Sequence, residues 1–282
     1  MTIELRRPQP EHIAELGRIC YEAFRDIAES HGFPPDFDSI AIAQGVVGLL
    51  MQQETVYSTA AFDGDAPRGS NFMNMWGDAA GIGPISVDLA TQGEGIGKRL
   101  MRDALDHATQ QGIESVRLCQ DSFNMRSLAL YASVGFDVQE PLASLALAAG
   151  PVDDAFRPAT PADYDAMDAL CRDVYRISRK GEYATLTAAG FPAFVLDRGR
   201  ITGYIIGSLI GHGVAESDDE MLALLAGIAA TTSGAQAFVP LRQGALYRRA
   251  LAAGHRNRKV MNLMTYGPYE EPRGTYCPSV MF

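Results

Sequence analysis

No apolar stretch in this 282-residue chain reaches the roughly 18 to 20 residues needed to span a membrane. The N-terminal "MTIELRRPQPEH" lacks the apolar core of a secretory signal. Cysteine is scarce: Cys20, Cys119, Cys171 and Cys277 lie far apart and form no C-x-x-C pair. That argues against zinc and against a disulfide framework, and reads as reduced, buried thiols in a cytoplasmic protein. His12, His31, His107, His212 and His255 show no metal-ligand spacing, so no metal is expected. His107 reads as a solvated helix position. His212, at a strand end, reads as structural or as facing a cleft. No serine or cysteine sits in a nucleophile elbow.

Positive charge is also short. Residues 1–150 carry 10 Lys+Arg against 20 Asp+Glu, and residues 151–282 carry 14 against 14. The net charge of −10 therefore sits in the first half. A nucleic-acid reader would show a basic face, so no nucleic-acid or membrane partner is expected. An acidic half suits a cationic partner such as an amine.

The length suggests two domains, and a faint repeat supports this. "RPQPEHIAELGRICYEAF" from Arg7 and "RPATPADYDAMDALCRDVY" from Arg157 share an Arg-Pro start, a second proline and an amphipathic helix. Turn residues cluster at Gly150-Pro151, giving domains at 1–150 and 151–282. In the first half, strands are expected over 3–7, 56–62, 70–76, 82–89 and 115–120, with a last one beginning at 136. Helices are expected over 10–30, 96–110 and 124–133. "NFMNMW" reads as a packed hairpin. The second half repeats an opening helix, a hairpin turning at Arg198-Gly199, a helix opening on Ser217-Asp218-Asp219-Glu220, and a final helix, Gly254 and strand.

The informative stretch is "VDLATQGEGIGKRLM", residues 87–101. A dinucleotide fingerprint fails because Lys98 stands where its third glycine belongs. A P-loop fails because Gln92 and Arg99 occupy its first-glycine and hydroxyl positions. Q-x-x-G-x-G remains, met by Gln92, Gly95 and Gly97 between a strand and a helix. Unpaired N–H groups, the helix dipole and closely approachable glycines suit a diphosphate there. Lys98, Arg99 and Arg102 add positive charge. A ligand-free glycine turn is the plain alternative.

The next stretch, "LCQDSFNMRSLALYASVGF", places Asn124 after a strand, Ser127 and Tyr131 four apart on one helix face, and Gly135-Phe136 at its close. With the glycine loop in this order, the chain resembles the GCN5-related N-acetyltransferases (GNAT). Its whole length is similar to a bacterial group of tandem GNAT proteins in which an active N-terminal domain precedes a degenerate one. The resemblance implies an α/β fold of two tandem GNAT-like domains, each a mixed central sheet flanked by helices. It implies an acetyl-CoA-dependent N-acetyltransferase acting on a primary amine of a small molecule by direct attack.

Carried onto this sequence, the loop backbone of Gln92, Gly93, Glu94, Gly95, Ile96, Gly97 and Lys98 would hold the pyrophosphate of acetyl-CoA. Val87 and Leu89 would pair with the pantetheine arm. Asn124 and Ser127 would contact the cofactor near its thiol end, and Tyr131 would protonate the leaving thiolate. Ala90 stands near where many family members have proline. The general base is not legible. Asp88, Glu54 and Asp121 are candidates by nearness in sequence, and the Phe282 carboxylate is another. The second domain, whose acidic helix start would repel a diphosphate, is expected to wall the substrate cleft. The alternative is a non-catalytic acyl-CoA-binding or interaction protein. Monomer and homodimer both fit.

Overall fold

The computed structural model describes residues 2–207 and 211–281. It divides into two compact units that interleave along the chain. The first holds residues 1–75, 80–116 and 123–137, and the second holds 76–79, 117–122 and 138–282. Among the described residues no helix is long and apolar enough to cross a membrane.

The first unit opens with β1 (Ile3–Arg6), a short 3-10 turn at Pro10–His12, and α1 (Ile13–Ser30). Proline at the first turn position costs no hydrogen bond, since that N–H lacks a helical partner anyway. Leu16, Ile19 and Cys20, spaced i, i+3, i+4, form the buried stripe of α1. Next comes α2 (Ile40–Gln52), capped by Ser39, whose side chain accepts from the Ile42 N–H. Then β2 (Val56–Asp63), β3 (Ala66–Asn74) and β4 (Ala80–Val87) run as an antiparallel meander beside β1, in the order β1-β2-β3-β4. Against it pack α1 and α3 (Ile96–Gln110). Phe72 and Met73 are fully buried, as the packed hairpin requires.

β5 (Val116–Asp121) starts in this unit and continues in the second. α4 (Met125–Ala132) returns to the first unit, and β6 (Asp137–Ala146) opens the long run of the second.

The second unit repeats the local pattern of the first. β7 (Phe156–Pro158) leads to a 3-10 turn at Pro161–Asp163 and α5 (Tyr164–Tyr175). α6 (Lys180–Ala188) precedes the hairpin β8 (Ala193–Asp197) and β9 (Ile201–Ile206), then β10 (Gly213–Ala215), α7 (Asp218–Thr231), β11 (Gln236–Pro240) and α8 (Gly244–Ala252). The chain ends with β12 (Arg256–Tyr266) and β13 (Thr275–Cys277). Two strand runs result, β5-β12-β6-β11 and β13-β10-β9-β8-β7. Leu196, Ile205, Leu224, Leu225, Val239 and Ala250 anchor one apolar core.

The repeated Arg-Pro start has a physical job here. Arg157 grips Asp163 with both guanidinium ends, at 2.8 and 2.9 Å. Asp163 also accepts from the Thr160 N–H at 2.8 Å and from its hydroxyl at 2.9 Å. Arg157, aided by Thr160, holds the Asp163 carboxyl well below the usual carboxylate range. Asp163→Asn is expected to cost about 1–2 kcal/mol at pH 7, discounted because Arg157 is more than a third exposed. A depressed carboxyl stabilises the fold above its unfolded pKa of about 4 and loses that contribution as pH falls. Urea melts should therefore show the gap between the two proteins shrinking from pH 7 to pH 3. A gap independent of pH would assign the loss to packing.

Candidate active site

β4 stops at Val87, two residues earlier than its sequence suggests. Asp88 turns the chain: its side chain accepts from the Ala90 N–H at 3.0 Å, and its carbonyl accepts from Thr91 N at 2.8 Å. Leu89 consequently lies in a 3-10 turn, exposed, and not in a strand.

The three glycines serve two purposes. Gly93 (φ +91°) and Gly95 (φ +82°) occupy the left-handed region, and a Cβ at either would meet nothing within 4 Å. Gly97 has ordinary dihedrals, but a Cβ there would sit 3.2 Å from Leu130 Cδ2. It lets α3 and α4 approach closely.

Gly95 is the N-cap of α3 and offers no capping side chain. Arg99 N, donating to Gly95 O at 3.2 Å, makes the first helical bond, so the Ile96, Gly97 and Lys98 amides precede the ladder. Their N–H groups and the dipole form an anion-seeking end. Glu94 is exposed and Lys98 half-buried. Gln92 ties the loop down, donating from Nε2 to Val87 O at 3.2 Å and accepting from the Arg126 guanidinium. Arg126 adds a positive charge on α4 that the loop's own sequence does not reveal. Arg99 instead donates to Ile3 O at 2.9 Å.

On α4, Asn124 is the N-cap. Its Oδ1 accepts from Ser127 N at 3.0 Å, and Ser127 Oγ donates to Asn124 O at 3.0 Å. These two side chains therefore shape the helix start. Tyr131 is 8% exposed, its ring 6.2 Å from that of Phe136.

Two of the acidic candidates are paired. Asp88 pairs with Arg68 at 3.3 Å and caps its turn. Asp121 pairs with Lys259 Nζ at 2.7 Å. Glu54 is exposed. Phe282 lies outside the described residues. The cysteines are free thiols: Cys20, Cys171 and Cys277 are buried and Cys119 is half-buried. Burial pushes Cys20 and Cys119 up to about 12, so neither thiol is poised as a nucleophile.

Two histidines are placed by their neighbours, and His107 is less solvated than its sequence reading. His107 stacks on Tyr57, ring centres 3.8 Å apart. His212 faces no cleft: it is fully buried in the second unit between Glu182 and Tyr204.

The corresponding positions in the second unit are built differently. Ser217 caps α7 by accepting from Glu220 N at 3.3 Å, and the first turn carries Asp218, Asp219 and Glu220. Arg198 pairs with Glu220 and Arg249 with Asp219. That helix end is already capped and negative.

The acetyltransferase (GNAT) family matches residues 15–136. The chain carries a GNAT acetyltransferase domain. The GNAT domain spans the glycine loop, Asn124 and Tyr131. The chain is 36% identical to mycothiol acetyltransferases of Kocuria rhizophila over 64 residues and of Nocardioides sp. over 100 residues. These stretches cover 22% and 32% of this chain, and only 21% and 32% of the relatives. A candidate acetyltransferase structure from Pyrococcus horikoshii shares the fold over 99% of this chain and 94% of its own, with a TM-score of 0.80 at 16% identity.

Proposed function

We propose that the protein is an acetyl-CoA-dependent N-acetyltransferase acting on a primary amine of a small molecule. The observation that carries this reading is the uncapped, glycine-led start of α3, inside a GNAT domain and tied by Gln92 to the end of β4 and to Arg126 on α4. The amides of residues 92–98 hold the pyrophosphate, and β4 up to Val87 guides the pantetheine arm. Arg126 supplies a counter-charge. Asn124 and Ser127 set the first turn of α4 and so the direction in which it carries Tyr131.

The amine attacks as its neutral form, since a protonated amine has no lone pair. The new C–N bond forms at the thioester carbonyl, the C–S bond breaks, and Tyr131 donates its phenolic proton to the departing thiolate. The proton released by the amine leaves through water, because Asp88 and Asp121 are committed to Arg68 and Lys259. The acidic first half favours a cationic acceptor. The mycothiol named by the two relatives stays theirs, because the shared stretches span under a third of each.

Incubating the protein with acetyl-CoA and a panel of amines, and following free thiol, tests the reaction. Acyl-donor binding is tested separately by calorimetry. Gly95→Glu would face the pyrophosphate with a carboxylate on a strained backbone and is expected to weaken acetyl-CoA binding at least about 100-fold in a folded protein. Undiminished binding would move the donor site elsewhere.

A further inference from the structure

Residues 213–266 contain the same succession as residues 80–146: strand, helix, strand, helix, strand. There β10, α7, β11, α8 and β12 follow one another in the order of β4, α3, β5, α4 and β6 earlier in the chain. Two positions correspond closely. The N-cap of α4 is Asn124 and that of α8 is Gln243. Gly135 lies four residues after Tyr131, and Gly254 lies four after Ala250, a fully buried alanine with no proton to give.

In the first unit β4 meets β5 at its start, where Ala80 N donates to Ser115 O at 3.0 Å. In the second unit β10 and β11 belong to different strand runs, and a further strand stands between them. β13 pairs antiparallel with β10, matching Gly213 with Cys277, Val214 with Tyr276 and Ala215 with Thr275, and it also touches β11.

β13 is fastened at both places where a donor would be held. Thr275 Oγ1 donates to Asp218 Oδ1 at 3.0 Å, at the first residue of α7. Gln243 Nε2 donates to Tyr276 O at 3.2 Å, at the cap of α8. Tyr276 is fully buried; its hydroxyl donates to Glu140 and accepts from Arg242 at 3.2 Å. Cys277 packs into the apolar core beside Met221.

We infer that the acyl-donor slot of the second unit is a strand-binding site whose ligand is the chain's own segment Thr275–Cys277. This rests on reading the first unit's slot as the donor site. In the second unit a backbone strand satisfies the edge of β10 as an extended pantetheine arm would. The second unit has changed the chemistry at each end. Carboxylates replace the anion-seeking helix start, and Ala250 replaces the phenol.

Amide hydrogen exchange on the full chain, with and without saturating acetyl-CoA, tests this. Peptides covering 274–278 should be protected at least about 100-fold without ligand and stay unchanged with it. Those covering 85–98 should gain protection on addition of acetyl-CoA. Gln243→Ala, which leaves the β10 pairing intact, should speed exchange at 276–277 about fivefold. Weak protection of 274–278 in the free protein, or its loss on adding acetyl-CoA, would overturn the inference. A silent 85–98 region with a protected 274–278 would instead count against the donor reading of the first unit and leave the strand-filled slot standing.

Discussion

Tyr131→Phe is expected to lower kcat roughly 10- to 1,000-fold, the scale of a positioned general acid, while acetyl-CoA affinity stays nearly unchanged. The ring is buried on α4 near Phe136, so phenylalanine preserves its packing and removes only the hydroxyl. A group that acts on the leaving thiolate changes the transition state and not the bound ground state, so kcat should fall and KM should hold. Steady-state thiol release and calorimetry on the same preparation separate the two. Equal kcat in both proteins would leave Tyr131 as a packing residue and remove the acid from the mechanism.

Glu182→Gln is expected to cost about 3–5 kcal/mol of stability, the range for breaking a buried ion pair from one side. Arg179, 1% exposed, donates from Nε to Glu182 at 2.7 Å and from its second nitrogen to Ser279 Oγ at 3.2 Å. Glu182 also accepts from His212 Nδ1 at 2.8 Å. The acceptor-only carboxylate fixes the ring proton on Nδ1, so Nε2 accepts from the Tyr204 hydroxyl at 2.7 Å.

Burial alone would raise the Glu182 carboxyl. The Arg179 charge, followed by His212, outweighs it and holds the group below its usual range. Burial, aided by the Arg179 charge, lowers His212 despite the carboxylate, which keeps its ring neutral. Both groups are depressed in the folded state. Each therefore contributes stability above its unfolded pKa, and that contribution is lost as pH falls: first through about 6.5 for histidine, then through about 4 for glutamate. Urea unfolding of wild type and Glu182→Gln at pH 7 checks the magnitude. A difference under about 1 kcal/mol would mean that the Arg179 charge finds water when its partner goes.

Elements with local punctuation were legible in the sequence. The glycine loop, α3 and the β8–β9 hairpin follow from glycines at turns and apolar residues at helical or alternating spacing. The paired Arg-Pro starts gave α1 and α5 for the same reason. α2 was not legible because "IAIAQGVVGLLMQ" is apolar almost all round, so no polar face marks a period. Its one signal was Ser39 as a cap. α6 is short, and Arg179 just before it and Glu182 within it turn inward to each other, reversing the usual rule that charge faces water.

In the candidate site, the motif spacing singles out Gln92, Asn124 and Tyr131. What they touch was not. Arg126 reaches Gln92 across 34 positions, and Asp121 meets Lys259 from a strand whose partner no local pattern names. Leu89 shows the limit at a boundary: one aspartate, Asp88, ended a strand that the apolar run continued.

The placement of β12 between β5 and β6 sets a timetable for synthesis. Ser122 donates its N–H to Val260 O, 138 residues downstream, and Gln120 accepts from Asn262. At about 5–20 residues per second, a ribosome needs roughly 7–30 s to make that intervening chain. Until then β5 lacks the neighbour that closes its edge, and β6 waits for both β12 and β11. The growing chain must hold two open edges, each able to pair with a neighbouring nascent chain. The acidic surplus of residues 1–150 is already in place during that interval, and like-charged chains repel one another.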